Sequence, residues 1–134
     1  MLKRILIVVM LMLAFGTSLC FAENWEKVSS NEYVDVSIDT DSIKSTTIDG
    51  WDMYRFKAMI LSKEDPSKEI DVIFINKDTK DWTVGNEQRY DPSGTLTSSK
   101  TYNIKRKTWD SYENTLWKPV VDRVIELDNK KESQ

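Results

Sequence analysis

The sequence predicts an α+β fold: a single antiparallel sheet of about six strands with a C-terminal helix packed on one face, following a cleaved signal peptide. Three observations support this prediction. Residues 1–22 have the layout of a secretory leader, several segments between residues 23 and 108 alternate polar and apolar side chains, and the chain after Trp109 changes to helical spacing. The chain therefore divides into a signal peptide, residues 1–22, and a single domain, residues 23–134.

The leader begins with two cationic residues and continues with an unbroken apolar run over residues 5–15. This run has 11 residues, whereas a helix needs about 20 to span a bilayer, so we expect no integral membrane span in the mature form. The small residues Cys20 and Ala22 predict cleavage after Ala22. A retained anchor fits less well, as does lipid attachment at Cys20, because the preceding Leu19 is bulky. We therefore expect an extracytoplasmic protein, in the periplasm or secreted to the cell surface.

The first half of the mature chain predicts three strands. Residues 25–28 and 33–38 alternate, and the polar residues 39–42 form a turn, because Asp and Ser side chains bond readily to their own backbone. The Asp-Gly pair at residues 49–50 predicts a two-residue hairpin turn. The clearest strand covers residues 51–61. Its core-facing side chains are expected to be Tyr54, Phe56, Ala58 and Ile60.

The second half predicts three further strands. Residues 62–68 contain a proline among charges and form a loop. Residues 70–75 are apolar on both faces, which predicts a central strand covered by the helix on one side and by a second body, such as a partner subunit, on the other. The remaining strands are predicted at residues 82–84 and 95–104, on either side of a type I turn at residues 90–94.

The C-terminal helix is predicted to begin near Pro119, since proline suits the first turn of a helix. An apolar stripe follows at helical spacing: Val120, Val121, Val124, Ile125 and Leu127. A helix of about 11 residues is not stable alone in water, so it must dock on the sheet. The polar residues 130–134 are expected to form a frayed tail.

Composition excludes several classes of function. The net charge of −3 becomes −5 when the leader is removed, so the mature domain is a poor partner for nucleic acid. The single cysteine, Cys20, lies in the leader, and the chain contains no histidine. The mature domain therefore has no disulfide, no Cys-His or Ser-His-Asp catalysis and no zinc site built on thiolates or imidazoles. We predict no cofactor, no metal and no catalytic residue.

The one concentration of basic residues is the segment 100–107. Its candidate ligand-binding residues are Lys100, Tyr102, Lys105, Arg106 and Lys107. Four cations around an aromatic ring suit a sulfated glycan or an acidic stretch of a host protein. An edge strand kept soluble by lysine explains the same residues.

Other features have structural explanations. Asp39 and Asp41 have the spacing that opens a calcium loop, but Lys44 stands where the loop needs glycine, so a turn is the better interpretation. The 22 carboxylates make some neighbours inevitable, so proximity alone indicates no hydrolase. The core is the default place for the tryptophans, with exposure as the alternative for Trp51, Trp109 and Trp117, which lie near the ends of predicted elements.

The order of motifs resembles the surface-adhesin E-like family of small exported bacterial proteins. The resemblance rests on WEKV at residues 25–28, the run at residues 33–44, Trp51, and Trp82 ahead of YDPSG at residues 90–94, with a tryptophan before the final helix. It implies an antiparallel sheet with a C-terminal helix across it, often as a homodimer. The founding adhesin of the family binds components of the host extracellular matrix. No binding residue transfers position by position.

We therefore expect an exported, non-enzymatic binding protein, adhesin-like, that recognises a protein or glycan ligand at the cell envelope or surface. The ligand would contact a face of the sheet or the segment 100–107. The alternative is a periplasmic accessory or inhibitor module with a bacterial partner. A hydrolase built on carboxylates is a third and weaker interpretation, because no histidine or cysteine is available to it.

Overall fold

The computed structural model describes residues 23–132, so the predicted signal peptide lies outside the described residues. One antiparallel sheet of seven strands and one C-terminal helix confirm the predicted α+β class. The strands are β1 (Trp25–Ser30), β2 (Val34–Asp39), β3 (Lys44–Ile48), β4 (Trp51–Ser62), β5 (Lys68–Asn76), β6 (Trp82–Tyr90) and β7 (Leu96–Thr101), and the helix is α1 (Lys118–Glu132). No helix in this part of the chain is long and apolar enough to cross a membrane.

The strands follow the order β1-β2-β4-β5-β6-β7, and β3 pairs with β4. The long strand β4 carries both β2 and β3 on the same edge, since β2 pairs with its residues 58–62 and β3 with its residues 51–55. A 3-10 turn, Thr40–Ser42, joins these two strands. The Asp39 carboxylate accepts hydrogen bonds from the backbone N–H groups of Asn24 and Asp41, both at 3.1 Å. Asp39 therefore caps a turn, which confirms the turn interpretation.

Strand β3 is the seventh strand, and it was not predicted because its central residues, Ser45, Thr46 and Thr47, are polar on both faces. It forms through the hairpin at residues 49–50, whose φ angles of 52° and 80° are those that a two-residue hairpin turn requires. Strand β7 ends at Thr101, three residues before the predicted end, and the chain from residue 102 to Trp117 runs as a loop. Helix α1 has 15 residues rather than about 11 and begins at Lys118.

The core lies between α1 and one face of the sheet, which we call the helix face. Side chains from β2, β4, β5 and β6 and from the helix fill it. The fully buried members are Val36, Ile38, Phe56, Ala58, Ile73, Ile75, Val120, Val121 and Val124. Trp82 and Trp117 stack at 4.5 Å between ring centroids and close one end of this core. Tyr54 and Trp82 are buried as predicted, and so is Trp117.

A bidentate ion pair ties the helix to the edge of the sheet. The Arg123 guanidinium donates from Nε and Nη2 to the two carboxylate oxygens of Glu26 on β1, each at 2.8 Å. This pair holds the pKa of Glu26 below its ordinary value, chiefly through the hydrogen bond. The helix therefore packs over the β1 edge of the sheet, and no helix of residues 23–132 covers the opposite side, which we call the open face.

Candidate functional site

The structure divides the predicted basic segment between different surroundings. Lys100 is exposed on the edge strand β7, where its register partner is Glu87. The Tyr102 hydroxyl donates to Glu87 Oε2 at 3.4 Å, and burial with the Glu87 charge raises the pKa of Tyr102, so the phenol keeps its proton. The Lys107 ammonium lies 4.0 Å from the centre of the Tyr102 ring and donates to the Val84 carbonyl. Tyr102 and Lys107 therefore face a group of carboxylates.

The other two basic residues lie elsewhere. Lys105 forms an ion pair with Asp49 at the tip of the β3–β4 hairpin. Arg106 is exposed in a turn, where its backbone N–H donates to the Asn103 carbonyl at 3.1 Å. Tyr102 and Lys107 therefore lie together beside Glu87, whereas Lys105 lies against Asp49. The sequence did not indicate these separate surroundings, because residues that are neighbours along the loop after β7 contact different partners.

A group of three carboxylates lies on the helix face beyond the apolar core. Oxygen atoms of Glu69, Asp71 and Glu87 approach within 4.8 Å of one another, because Asp71 and Glu87 are register partners across β5 and β6. Arg89 Nε lies 2.9 Å from Glu69 Oε1, to which it donates, and 2.9 Å from Glu87 Oε1. The guanidinium therefore lies against two of the three carboxylates and offsets their charge.

Asp71 is the most perturbed of the three. It is 1% exposed, and its Oδ1 has no hydrogen-bond partner among the described residues. Burial, hydrogen bonding with Glu69 and the charges of Glu69 and Glu87 raise the pKa of Asp71 to about 8. Oxygen ligands of this kind suit hard cations; with a proton on Asp71, the two remaining carboxylate charges lie near the cations of Arg89 and Lys107.

The open face carries a groove of about 500 Å³, which we call the groove. Its floor is the apolar row Ile70, Val72 and Phe74 of β5, all of them half-buried. Its polar borders come from the neighbouring strands: Arg55 and Lys57 on β4, and Asn86, Gln88 and Tyr90 on β6. The predicted second apolar face of this strand therefore exists, and in the described part of the chain no helix covers it.

A β-bulge shapes one end of the groove. The β5–β6 register shifts between Val72 and Ile73, opposite Gly85. A Cβ atom at Gly85 would lie 2.4 Å from Phe74 Cε2 and 3.6 Å from Ile104 Cγ2. Glycine at this position therefore lets the Phe74 ring lie against the β6 backbone, which keeps the groove open.

A second, smaller cavity of about 310 Å³ adjoins the groove beyond Ile104; we call it the tryptophan pocket. Its lining residues are Ile48, Asp49, Trp51, Met53, Ile104, Lys105 and Trp109. Trp51 is 53% exposed, so for this residue the exposed alternative is correct, whereas Trp109 is partly buried. Trp51 follows the hairpin tip directly, and this position at the end of an element is the sequence signal for its exposure.

No protein-family model, no curated protein and no solved structure matches this chain. The likeness to the surface-adhesin E-like family stays a prediction.

Proposed function

We propose that this chain is an exported, non-enzymatic binding protein, adhesin-like, whose protein or glycan ligand lies in the groove of the open face. One observation carries the proposal. The helix covers a single face of the sheet, while the other face keeps the half-buried apolar row Ile70, Val72 and Phe74 within a concavity of about 500 Å³. An apolar floor with polar borders is the usual composition of a binding site.

The borders of the groove supply orientation as well as contact area. Arg55 is the register partner of Phe74, and Lys57, which forms an ion pair with Glu23 at 3.2 Å, is the register partner of Val72. Charged groups therefore flank the apolar row on one side. Amide and hydroxyl groups of Asn86, Gln88 and Tyr90 flank it on the other. A ligand with an apolar strip and polar or acidic margins would match this arrangement, because burial of the strip gives affinity and the margins fix its orientation.

The available chemistry supports binding rather than catalysis. Histidine is absent, and the single cysteine belongs to the predicted leader. Among the described residues, the one carboxyl whose pKa is strongly raised is Asp71, which is 1% exposed and therefore out of reach of a substrate. General acid catalysis needs such a group within hydrogen-bond distance of the reacting atom.

Blocking the groove tests the proposal. Gln88→Trp places a bulky side chain on the polar border of the groove, and Asn129→Trp places the same side chain on the exposed surface of α1. The exported protein and both variants are applied to immobilised matrix proteins and to a panel of glycans. We expect Gln88→Trp to weaken binding at least about tenfold and Asn129→Trp to bind normally. Equal binding by all three proteins would remove the groove from the proposal.

The location of the protein separates the adhesin from the periplasmic alternative. A surface adhesin is labelled by antibody or cut by protease on intact cells, and a periplasmic module is labelled only after the outer envelope is opened. We expect labelling of intact cells. Labelling restricted to opened cells would contradict the surface role and favour an accessory or inhibitor module with a bacterial partner.

A second copy of the chain is the competing occupant of the groove, since the family resemblance implies a homodimer. Light scattering on the purified exported protein distinguishes the two. A monomer leaves the groove free for a ligand, as we expect. A dimer that Gln88→Trp dissociates would contradict the ligand proposal.

A further inference from the structure

The tryptophan pocket has the features of a built small-ligand site. Trp51 keeps 53% of its surface exposed although it is held by a second indole. The Trp51 and Trp109 rings lie 6.1 Å apart at 76°, a T-shaped arrangement that uses at most one face of Trp51. About half of the Trp51 surface is therefore available to the pocket and to solvent.

The position of the Trp51 indole is set by the fold before a ligand binds. Trp51 directly follows the hairpin tip, whose residues Asp49 and Gly50 have the positive φ angles of a two-residue turn. On the other side of the pocket, Trp109 Nε1 donates to the Ile104 carbonyl at 3.1 Å, which anchors the second ring. A ligand that stacks on Trp51 would consequently lose little free energy in ordering the site.

The rim of the pocket is polar and electrically balanced. The Asp49 carboxylate and the Lys105 ammonium form an ion pair there, and both side chains are more than half exposed. Each keeps unused hydrogen-bonding capacity, since the carboxylate has several acceptor sites and the ammonium three donors. Paired opposite charges favour neither a cationic nor an anionic ligand, whereas they suit neutral hydroxyl groups that both donate and accept.

We infer that the tryptophan pocket binds one pyranose unit of a neutral glycan, with a face of the sugar ring stacked on Trp51 and its hydroxyls bonded to Asp49 and Lys105. The C–H groups on the face of a pyranose carry partial positive charge and match the negative face of an indole. A cavity of about 310 Å³ is near the lower limit of ligand sites, so it suits one ring rather than a chain. The inference rests on the proposed binding function and names its ligand class.

A matched pair of aromatic variants tests this site. Trp51→Ala removes the stacking surface, and Tyr33→Ala removes an equally exposed ring at the β1–β2 turn, far from the pocket along the sheet. The exported protein is screened on an array of neutral glycans, and the best glycan is titrated by calorimetry against each variant. We expect Tyr33→Ala to bind like the parent protein, Trp51→Ala to bind about thirtyfold more weakly, and Trp51→Phe to recover part of the loss.

Two results would overturn the inference: no binding of any neutral glycan by the parent protein, or glycan binding that Trp51→Ala leaves unchanged. Circular dichroism confirms that each variant is folded. We expect Trp51→Ala to fold, because Trp51 is exposed rather than part of the core. The Gln88→Trp variant separates this inference from the groove proposal. Matrix-protein binding that depends on Gln88 without glycan binding would preserve only the groove, and glycan binding that depends on Trp51 but not on Gln88 would preserve only the pocket.

Discussion

Asp71 shows how burial changes the chemistry of one residue. Its carboxyl is 1% exposed and meets Glu69 and Glu87 on its own face of the sheet, with Arg89 and Lys107 as the nearby cations. The pKa of about 8 means that the neutral form prevails in the folded protein at neutral pH. Protonation therefore favours folding, and ionisation of Asp71 opposes it.

The stability of the protein should consequently fall as the pH rises. The pKa of Asp71 is about 8 in the folded state against an ordinary value of 3.8, so its favourable contribution is complete below pH 3.8 and is lost as the pH approaches 8. Asp71→Asn imitates the neutral form. We expect it to flatten urea-unfolding stability between pH 5 and 8 and to exceed the parent by at least about 1 kcal/mol at pH 8.

The exposed Asp78 provides the control, because Asp78→Asn should leave the pH dependence unchanged. Carboxyls whose pKa is lowered, such as Glu26 and Asp35, change the stability of the protein only at more acidic pH. They therefore do not affect the comparison between pH 5 and pH 8. A parent protein equally stable at pH 5 and pH 8 would contradict the assignment.

Gly85 is important because its missing side chain leaves space for the Phe74 ring. In Gly85→Ala the new methyl would lie 2.4 Å from the Phe74 ring, so the ring must turn into the groove. We expect a loss of about 1–3 kcal/mol in unfolding free energy and a narrower groove. Gly94→Ala at the β6–β7 turn is a useful comparison. That glycine has a φ of 88° but no neighbouring atom within 4 Å, so the variant reports backbone strain without a clash. Chemical denaturation measures the unfolding free energy of both variants. A Gly85→Ala variant that loses no stability and keeps the groove unchanged would contradict the role of this contact.

At the scale of elements, the position of α1 decides which face of the sheet stays open. Its buried stripe of Val120, Val121 and Val124 packs on the helix face, and the Arg123–Glu26 pair holds it over β1. Salt bridges with partners as exposed as these contribute little, of order 0.2–1 kcal/mol, so the valines supply most of the docking energy.

Truncating the stripe should therefore weaken the whole fold. Val124→Ala removes two methyl groups from a fully buried side chain, and we expect unfolding free energy to fall by about 2 kcal/mol. Asn129→Ala on the exposed side of the same helix should change it by less than about 0.5 kcal/mol. Thermal unfolding followed by circular dichroism measures both changes. Equal effects of the two substitutions would mean that the helix does not dock through this stripe.

At the scale of the whole molecule, the fold holds without covalent cross-links. The only cysteine is Cys20, inside the predicted leader, so residues 23–134 contain no thiol. A continuous core under one helix, together with an open sheet whose ladders run without a break from β1 to β7, provides the stability instead.

Maturation of the chain gives a direct test at this scale. If the leader is removed after Ala22, the exported protein begins at Glu23, contains no titratable thiol and unfolds at the same temperature with or without a reducing agent. Intact mass and thiol titration on protein purified from the natural host make the measurement. An exported product that retains Cys20, free or lipid-modified, would contradict the predicted cleavage.

The sequence by itself determined the architecture. Period-two alternation over residues 51–61, the Asp-Gly turn and the apolar stripe after Pro119 are local signals, so they predicted the sheet, the turn at residues 49–50 and the helix. The two-sided apolar character of residues 70–75 also indicated a face that needs a cover. A polar strand such as β3 carries no such signal, because its place comes from pairing with β4 rather than from its own side chains.

Only the tertiary structure decided which side chains meet. Asp71 and Glu87 are 16 positions apart, and Trp51 and Trp109 are 58 apart, so strand register and loop path bring each pair together. The path of the loop after β7 places two of the residues that the sequence grouped in different surroundings, with Tyr102 beside Glu87 and Lys105 beside Asp49. Contacts between distant residues depend on the pairing of the whole sheet, and no local pattern encodes them.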